Sequence, residues 1–413
     1  MIRSMSSALS GLRNHQVMLD VVGNDIANVS TIGFKSSSTV FADVLTQTLN
    51  GASAPGAQTG GTNPAQIGLG SRLAGTVQSF TQGAIQRTGR TTDLAIQGDG
   101  FFIVSNAGQP SYTRAGSFTL DAVGNLTTPD GLQVQGWRAD AAGVVDTNSP
   151  IGAVQLRVGD LIPPVQTTDV TLGGNLSSDA AIGTLSTLAV TAYDDQGAGI
   201  PLNLTFTKTA ANQWTVTATA GNPAAAVALT DNVLTFDGTG ELTVPADRNI
   251  NIAGGTIPGM TSAIALELGA AGEPGRVTQF AGSMSAAITQ QNGSAAGSLQ
   301  SFNVSQDGTI VGSYSNGRTR PIGQVALAVF TNPGGLERVA GVWRETPNSG
   351  LAQIGTAGGG GRGLLSAGTL EMSNVDLAEE FTRLIIAQRG FQGNARVITT
   401  ADEILQEVVN LSR

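Results

Sequence analysis

Ser373–Leu411 reads SNVDLAEEFTRLIIAQRGFQGNARVITTADEILQEVVNL, and its large apolar residues return every seven positions. Leu377, Leu384, Phe391, Ile398 and Leu405, with Leu370 ahead of them, draw one line along a helix. That repeat favours a left-handed supercoil with a partner helix. Phe381, Ile385, Ala395, Ala401, Ile404 and Val408 widen the line into a face, while Glu379, Arg383, Arg389, Arg396, Glu403 and Glu407 fall mostly elsewhere on the wheel. Ser373 with Asp376 three residues on predicts a capped helix start near residue 373, and Glu379 with Arg383 forms a favourable i,i+4 pair.

The first thirty residues carry a matching pattern. Met5, Leu12, Leu19 and Ile26 repeat every seven positions, with Ala8, Leu9, Val22 and Ala27 beside them. Asn28 and Gly33, which tolerate the left-handed conformation that closes a helix, predict its end near Asn28. Two readings stand side by side: the helices pack on each other inside one subunit, or they pair between subunits as a coiled coil.

Between these ends the composition changes. The chain has 413 residues, enough for two or three cores. It holds 56 glycines, about twice the usual share, with few aromatic and charged residues. The net charge of −9 is scattered and no basic cluster exists, which argues against nucleic acid as a partner. Cysteine is absent, so no disulfide framework or thiolate metal site is available. No run reaches the roughly 18 to 20 apolar residues of a membrane span, and Met1–Asp20 lacks the apolar core of a secretory signal, so export is expected by another route.

The fold predicted is mixed, mainly β with terminal α-helices. Residues 1–30 and 371–413 form a coiled-coil-like helical domain. Connectors follow at 31–72 and 355–370, where the Gly-rich runs Gly51–Gly70 and Gly355–Gly363 read as flexible or extended. A first β domain covers 73–143 and 283–354, with turns at Asp99-Gly100, Asp130-Gly131 and Asp307-Gly308 and a strand at Val325–Phe330 buried on both faces. Residues 144–282 read as a second antiparallel domain inserted into the first, because Leu188, Val190, Leu202, Leu204, Phe206, Trp214 and Val216 alternate with polar residues.

Catalytic chemistry finds little to stand on. His15 is the only histidine, so neither a Ser-His-Asp system nor a multi-histidine metal site can form in one chain. Asp130 and Asp194-Asp195 lie in turn contexts beside glycine. The Gly358–Gly363 run lacks the Lys-Ser or Lys-Thr of a phosphate loop. Neither cofactor nor metal is expected.

Ala27–Lys35, ANVSTIGFK, resembles the signature of the bacterial flagellar rod and hook axial proteins. Gly98–Val104 (GDGFFIV), Tyr112–Leu126 (YTRAGSFTLDAVGNL) and Leu370–Leu411, with its core LAEEFTRLIIAQRGFQ at Leu377–Gln392, are similar to the same family. Its motif residues fall here on Ala27, Asn28, Thr31, Gly33, Phe34 and Lys35. The length and the inserted domain resemble the hook branch rather than the shorter rod proteins. The resemblance implies a structural subunit, exported unfolded by the type III apparatus without a cleaved signal and polymerised with itself into a curved extracellular tube that transmits motor torque. It also implies contact with rod, hook-cap and junction proteins, with the helices innermost, residues 73–143 and 283–354 as inner β domain and 144–282 as outer β domain. The helical assembly surfaces expected are Met5, Leu9, Leu12, Leu19, Val22 and Ile26 at one end and Leu377, Phe381, Leu384, Phe391, Ile398, Leu405 and Val408 at the other. Gly11, Gly390 and Gly393 weaken the two helices, which are expected to be largely disordered alone and to order on assembly. A straight rod subunit remains the rival, and a carbohydrate-acting β protein a remote one.

Overall fold

The computed structural model describes residues 2–55, 60–106 and 108–411. The protein is mainly β, with a long helix at each end, α1 (Ile2–Ala27) and α2 (Leu377–Leu411). It divides into two compact units, Met1–Arg157 with Phe302–Gly312 and Arg320–Arg413, and Val158–Ser301 with Ser313–Thr319.

The first unit is built around the strand Phe101–Asn106, the FFIV stretch. It pairs antiparallel with Gln109–Thr113, Gln133–Arg138 and Leu327–Val329. Successive side chains of a strand point to opposite faces. Phe102 and Val104 therefore enter one core with Leu94, Ile96, Phe118 and Val134, while Phe101 and Ile103 enter another with Tyr112, Trp137, Phe330 and Trp343. Burial on both faces explains the unbroken apolar run. Val325–Phe330 divides in the same way, Val325 and Leu327 going to the first core and Ala326, Ala328 and Phe330 to the second. Edge-to-face rings sit within each core, Phe102 on Phe118 at 5.1 Å in the first and Phe101 on Trp343 at 5.4 Å in the second, between centroids.

The stretches expected as flexible connectors carry regular structure. Ser37–Asp43 pairs with Ser71–Gln78, and Thr46–Asn50 with Ala65–Gly68. Residues 56–59 of this stretch lie outside the described residues. Gly355–Gly363 is a pinned turn rather than a hinge. Arg362 Nε donates to Thr356 O at 2.9 Å, and Gly363 N to Asp99 O at 2.6 Å. Beyond it, Leu364–Ala367 pairs with Leu94–Gln97 and Thr369–Glu371 with Ile85–Arg87. Glycine richness reads as freedom, but hydrogen bonding decides rigidity, and these runs find partners both nearby and, at Asp99, Leu94–Gln97 and Ile85–Arg87, far away in the chain.

The second unit is a β-sandwich. A meander of Leu185–Tyr193, Gly199–Ala210, Gln213–Ala220, Val233–Phe236 and Leu242–Val244 faces a sheet containing Asp169–Asn175, Asn249–Ile252 and Ile264–Glu267. Leu202, Leu204, Phe206, Trp214 and Val216 from one sheet share a core with Val170, Leu172, Ile250 and Leu266 from the other. Asp169–Asn175 runs parallel to Ile264–Glu267 and Val277–Thr278, where antiparallel pairing was expected. The unit also starts and ends later than the expected 144–282. Gly152–Ala153 pairs with Gln133–Arg138, and Val154 and Leu156 fill the first unit's core. At the other end, Ala287–Gln291 is held by Asp169–Asn175. Short strands that borrow a partner from distant sequence leave no mark at the boundary itself.

Candidate assembly surface

The helices α1 and α2 pack on each other in the single chain. A Cβ on Gly11 would stand 2.6 Å from Asn394 Nδ2, and one on Gly390 would collide with the His15 ring. In both pairs the residue numbers add to 405 (11 with 394, 15 with 390), so the helices run antiparallel in a fixed register. Because α2 has 35 residues against 26 in α1, its last turns run past the start of α1.

The line of contact is not the one drawn by the largest side chains. On α2 the buried residues are Glu380, Ala387 and Ala401, in seven-residue register with Asn394. On α1 they are Ala8, Val22 and Asp25, with Gly11 and His15 between them, and Asn14, which donates to Ser71 Oγ. Small residues occupy the centre because they let the backbones approach. Of the residues expected on the seam, Val22 is buried, and Leu12, Leu19, Ile26, Leu384, Phe391 and Ile398 are half-buried. Met5, Leu9, Leu377, Phe381 and Leu405 are exposed. The side chain of Val408 lies outside the described residues. A periodicity reading weighs size and cannot see that glycine and alanine mark the closest approach. The glycines read as weaknesses, Gly11 and Gly390, are the positions where the helices touch.

This arrangement leaves a wide apolar surface open. Phe381 is 50% exposed, Ile385 55% and Ile386 56%, while Val397 and Ile404 are also exposed. At 100° per residue, Leu377, Phe381 and Ile385 form a ridge on one flank of the buried line, and Ile386, Val397 and Ile404 one on the other. Asp376 caps α2, its Oδ1 accepting from Ala378 N at 2.8 Å, so the helix starts at Leu377 rather than near 373. Asn374 bridges instead, accepting from Ser36 N at 2.8 Å and donating to Ser79 O at 2.9 Å.

The signature Ala27–Lys35 locks this helix pair to the first unit. Asn28 Nδ2 donates to Asn24 O at 2.8 Å, and Thr31 Oγ1 to Asn28 Oδ1 at 3.0 Å, closing α1. Gly33 has φ +67°, donates to Glu371 O at 2.8 Å, and would place a Cβ 2.6 Å from Ala115 N. Phe34 is buried beneath the Arg338 guanidinium, 4.5 Å from its centroid. Lys35 is fully buried. Its Nζ donates to Thr81 O at 2.7 Å and lies 2.6 Å from Glu371 Oε1, while Arg114 Nη1 reaches Glu371 Oε2 at 3.2 Å. Burial pushes the Lys35 ammonium below its ordinary value and Glu371 pulls it part of the way back. Lys35 is legible as a motif residue; Arg114 and Glu371, which explain it, lie in stretches that resemble the family, but nothing local pairs them with Lys35.

Comparison with known proteins decides the family. Residues 366–411 match the flagellar basal body rod FlgEFG protein C-terminal family, 95–175 the flagellar hook protein FlgE/F/G D1 domain, and 168–294 the flagellar basal body protein FlaE D2 domain. The flagellar hook protein FlgE of Borreliella burgdorferi is 39% identical over 445 residues, spanning all of both chains. The chain belongs to the flagellar hook protein family. FlgE of Salmonella typhimurium, another member of that family, is 36% identical over 425 residues, covering 99% of this chain and all of that one. The flagellar basal-body rod protein FlgG of Bacillus subtilis is 32% identical over 416 residues, all of both chains, so rod and hook members share the layout while the higher identities favour the hook. The crystal structure of the Helicobacter pylori hook protein FlgE2 shares the fold, with TM-score 0.51 at 13% identity over 68% of this chain and 98% of that one.

Proposed function

We propose that this chain is a subunit of the flagellar hook that polymerises with itself through α1 and α2. The observation that carries the reading is the pair of apolar ridges on α2, with Met5 and Leu9 exposed on α1. Apolar ridges left open on a helix pair that is already packed ask for a further partner. Other copies of the same pair, repeated by a helical operator, supply one and build a tube.

The finer parts of the proposal follow from the family. The helices line the inside of a curved, extracellular tube that passes torque, the β units face outward, and rod, cap and junction proteins meet its ends. The chain travels unfolded through the type III apparatus. A helix pair whose large apolar side chains stay largely exposed suits ends that order fully only among neighbours.

Electron microscopy of the purified full-length chain after induced polymerisation tests this. Curved tubes are expected. Straight tubes would move the chain to the rod branch, and a chain that stays monomeric at every concentration would overturn assembly through the helices.

A further inference from the structure

Asp25 and Glu380 stand level with each other where α1 and α2 pack, with the Ser37–Asp43 strand alongside. Their numbers add to the same 405 as the two glycine contacts, so Asp25 is level with Glu380 across the helix pair. Asp25 is fully buried and Glu380 nearly so. Asp25 Oδ2 accepts from Ser37 N at 2.8 Å, and Glu380 Oε1 from Arg383 Nη1 at 3.1 Å. Asp25 Oδ1 and Glu380 Oε2 are buried with no hydrogen-bond partner among the described residues. An ionised carboxylate only accepts, whereas a protonated one brings the O–H donor that such an orphan oxygen lacks. Leaving two buried acceptors unpaired is costly, and protonation of either carboxyl removes a buried charge.

We propose that Asp25 and Glu380 form a protonation-linked joint between α1 and α2, closed when one carboxyl is protonated and loosened when both are ionised. The charged groups around it come from three elements. α1 contributes Asp25. α2 and its cap contribute Glu380, Glu379, Arg383 and Asp376, and the Glu337–Val339 strand contributes Arg338. Four acids thus face two arginines. A cleft of about 200 Å³, lined by Ser36, Ser38, Asp376, Glu379, Glu380 and Arg383, adjoins the joint.

Burial raises Asp25 above its ordinary 3.8 and Glu380 above its ordinary 4.5, and the charge of Asp25 adds to the second shift. The fold therefore prefers the protonated form. That stabilisation is fully present below the ordinary values and is lost as pH rises through the folded ones. The joint is tightest in acid and loosens as pH rises through the folded values. A joint that loosens lets the ends part and repack. This last link rests on the assembly reading; the titration does not.

Carboxyl 13C titration of the full-length chain, with labelled Asp and Glu, tests the joint in both monomer and polymer. Asp25 is expected to titrate above 3.8, and Glu380→Gln is expected to lower its midpoint by roughly half a unit or more. Asp25→Asn should lower that of Glu380 in return. Both substitutions keep shape and one acceptor oxygen and turn the other into an NH2 donor, and the reciprocal variant decides if one of them opens the helices. Ordinary midpoints for both groups in monomer and polymer alike, or a midpoint that neither reciprocal substitution moves, overturns the proposal. A chain that fails to polymerise but shows coupled titration would overturn the assembly reading and leave the joint standing.

Discussion

Lys35 Nζ lies 2.6 Å from Glu371 Oε1, across 336 residues of chain, and neither side chain is exposed. The contact joins the residue that ends the N-terminal signature to the strand that leads into α2. Arg114 sits on the other carboxylate oxygen, so one glutamate holds two buried cations. Such a cluster adds little over an apolar core, but it is intolerant of losing a partner.

Glu371→Gln should therefore destabilise the first unit by about 3–5 kcal/mol, since it strands Lys35 and Arg114 without their counter-charge. Urea unfolding followed by tryptophan fluorescence reads it, because Trp137 and Trp343 report on that unit. A loss under about 1 kcal/mol would mean the cluster is not needed to close the signature onto the strand.

Gly33→Ala should cost about 1–3 kcal/mol from backbone strain alone, plus the collision of its Cβ with Ala115 N. Gly131 has φ +81° with open space around it. Gly131→Ala should show the conformational part only, and equal shifts in thermal midpoint for the two would contradict the close approach at Gly33.

Ile385→Asp together with Ile386→Asp should leave both β units within about 0.5 kcal/mol of wild type, because both side chains are exposed. The same double variant should abolish polymer. Ala387→Asp differs, since it drives a charge into the buried line and should part the helices within the monomer. Sedimentation for polymer and amide exchange for the helix pair separate the two outcomes, and normal polymer yield from the double variant would move the assembly face elsewhere.

Tyr112 is pushed up to about 12 by burial, with the neighbouring Glu345 adding to it. Its folded value is raised, so the stabilisation is whole below pH 10 and drains away between pH 10 and 12. Roughly 2–3 kcal/mol is at stake. Wild type should lose stability across that window and Tyr112→Phe should not; parallel curves would refute the assignment.

Local pattern carried much of this protein. The seven-residue repeats placed both terminal helices, alternation at Leu202, Leu204 and Phe206 placed the strands of the second unit, and the unbroken FFIV and Val325–Phe330 runs announced strands buried on both faces. ANVSTIGFK carried the family. Each of these is written in consecutive residues, where backbone period meets side-chain polarity.

Only the tertiary structure decided what those elements touch. It set Gly11 against Asn394 and Gly390 against His15, moved the buried helix line from the leucines to Ala387 and Ala401, and freed Phe381 and Ile385 to face outward. It turned two Gly-rich stretches into paired or pinned backbone, and it brought Glu371 to Lys35. Periodicity tells which residues avoid water, but closest approach, register and ion pairing depend on groups hundreds of residues apart, and no local pattern encodes them.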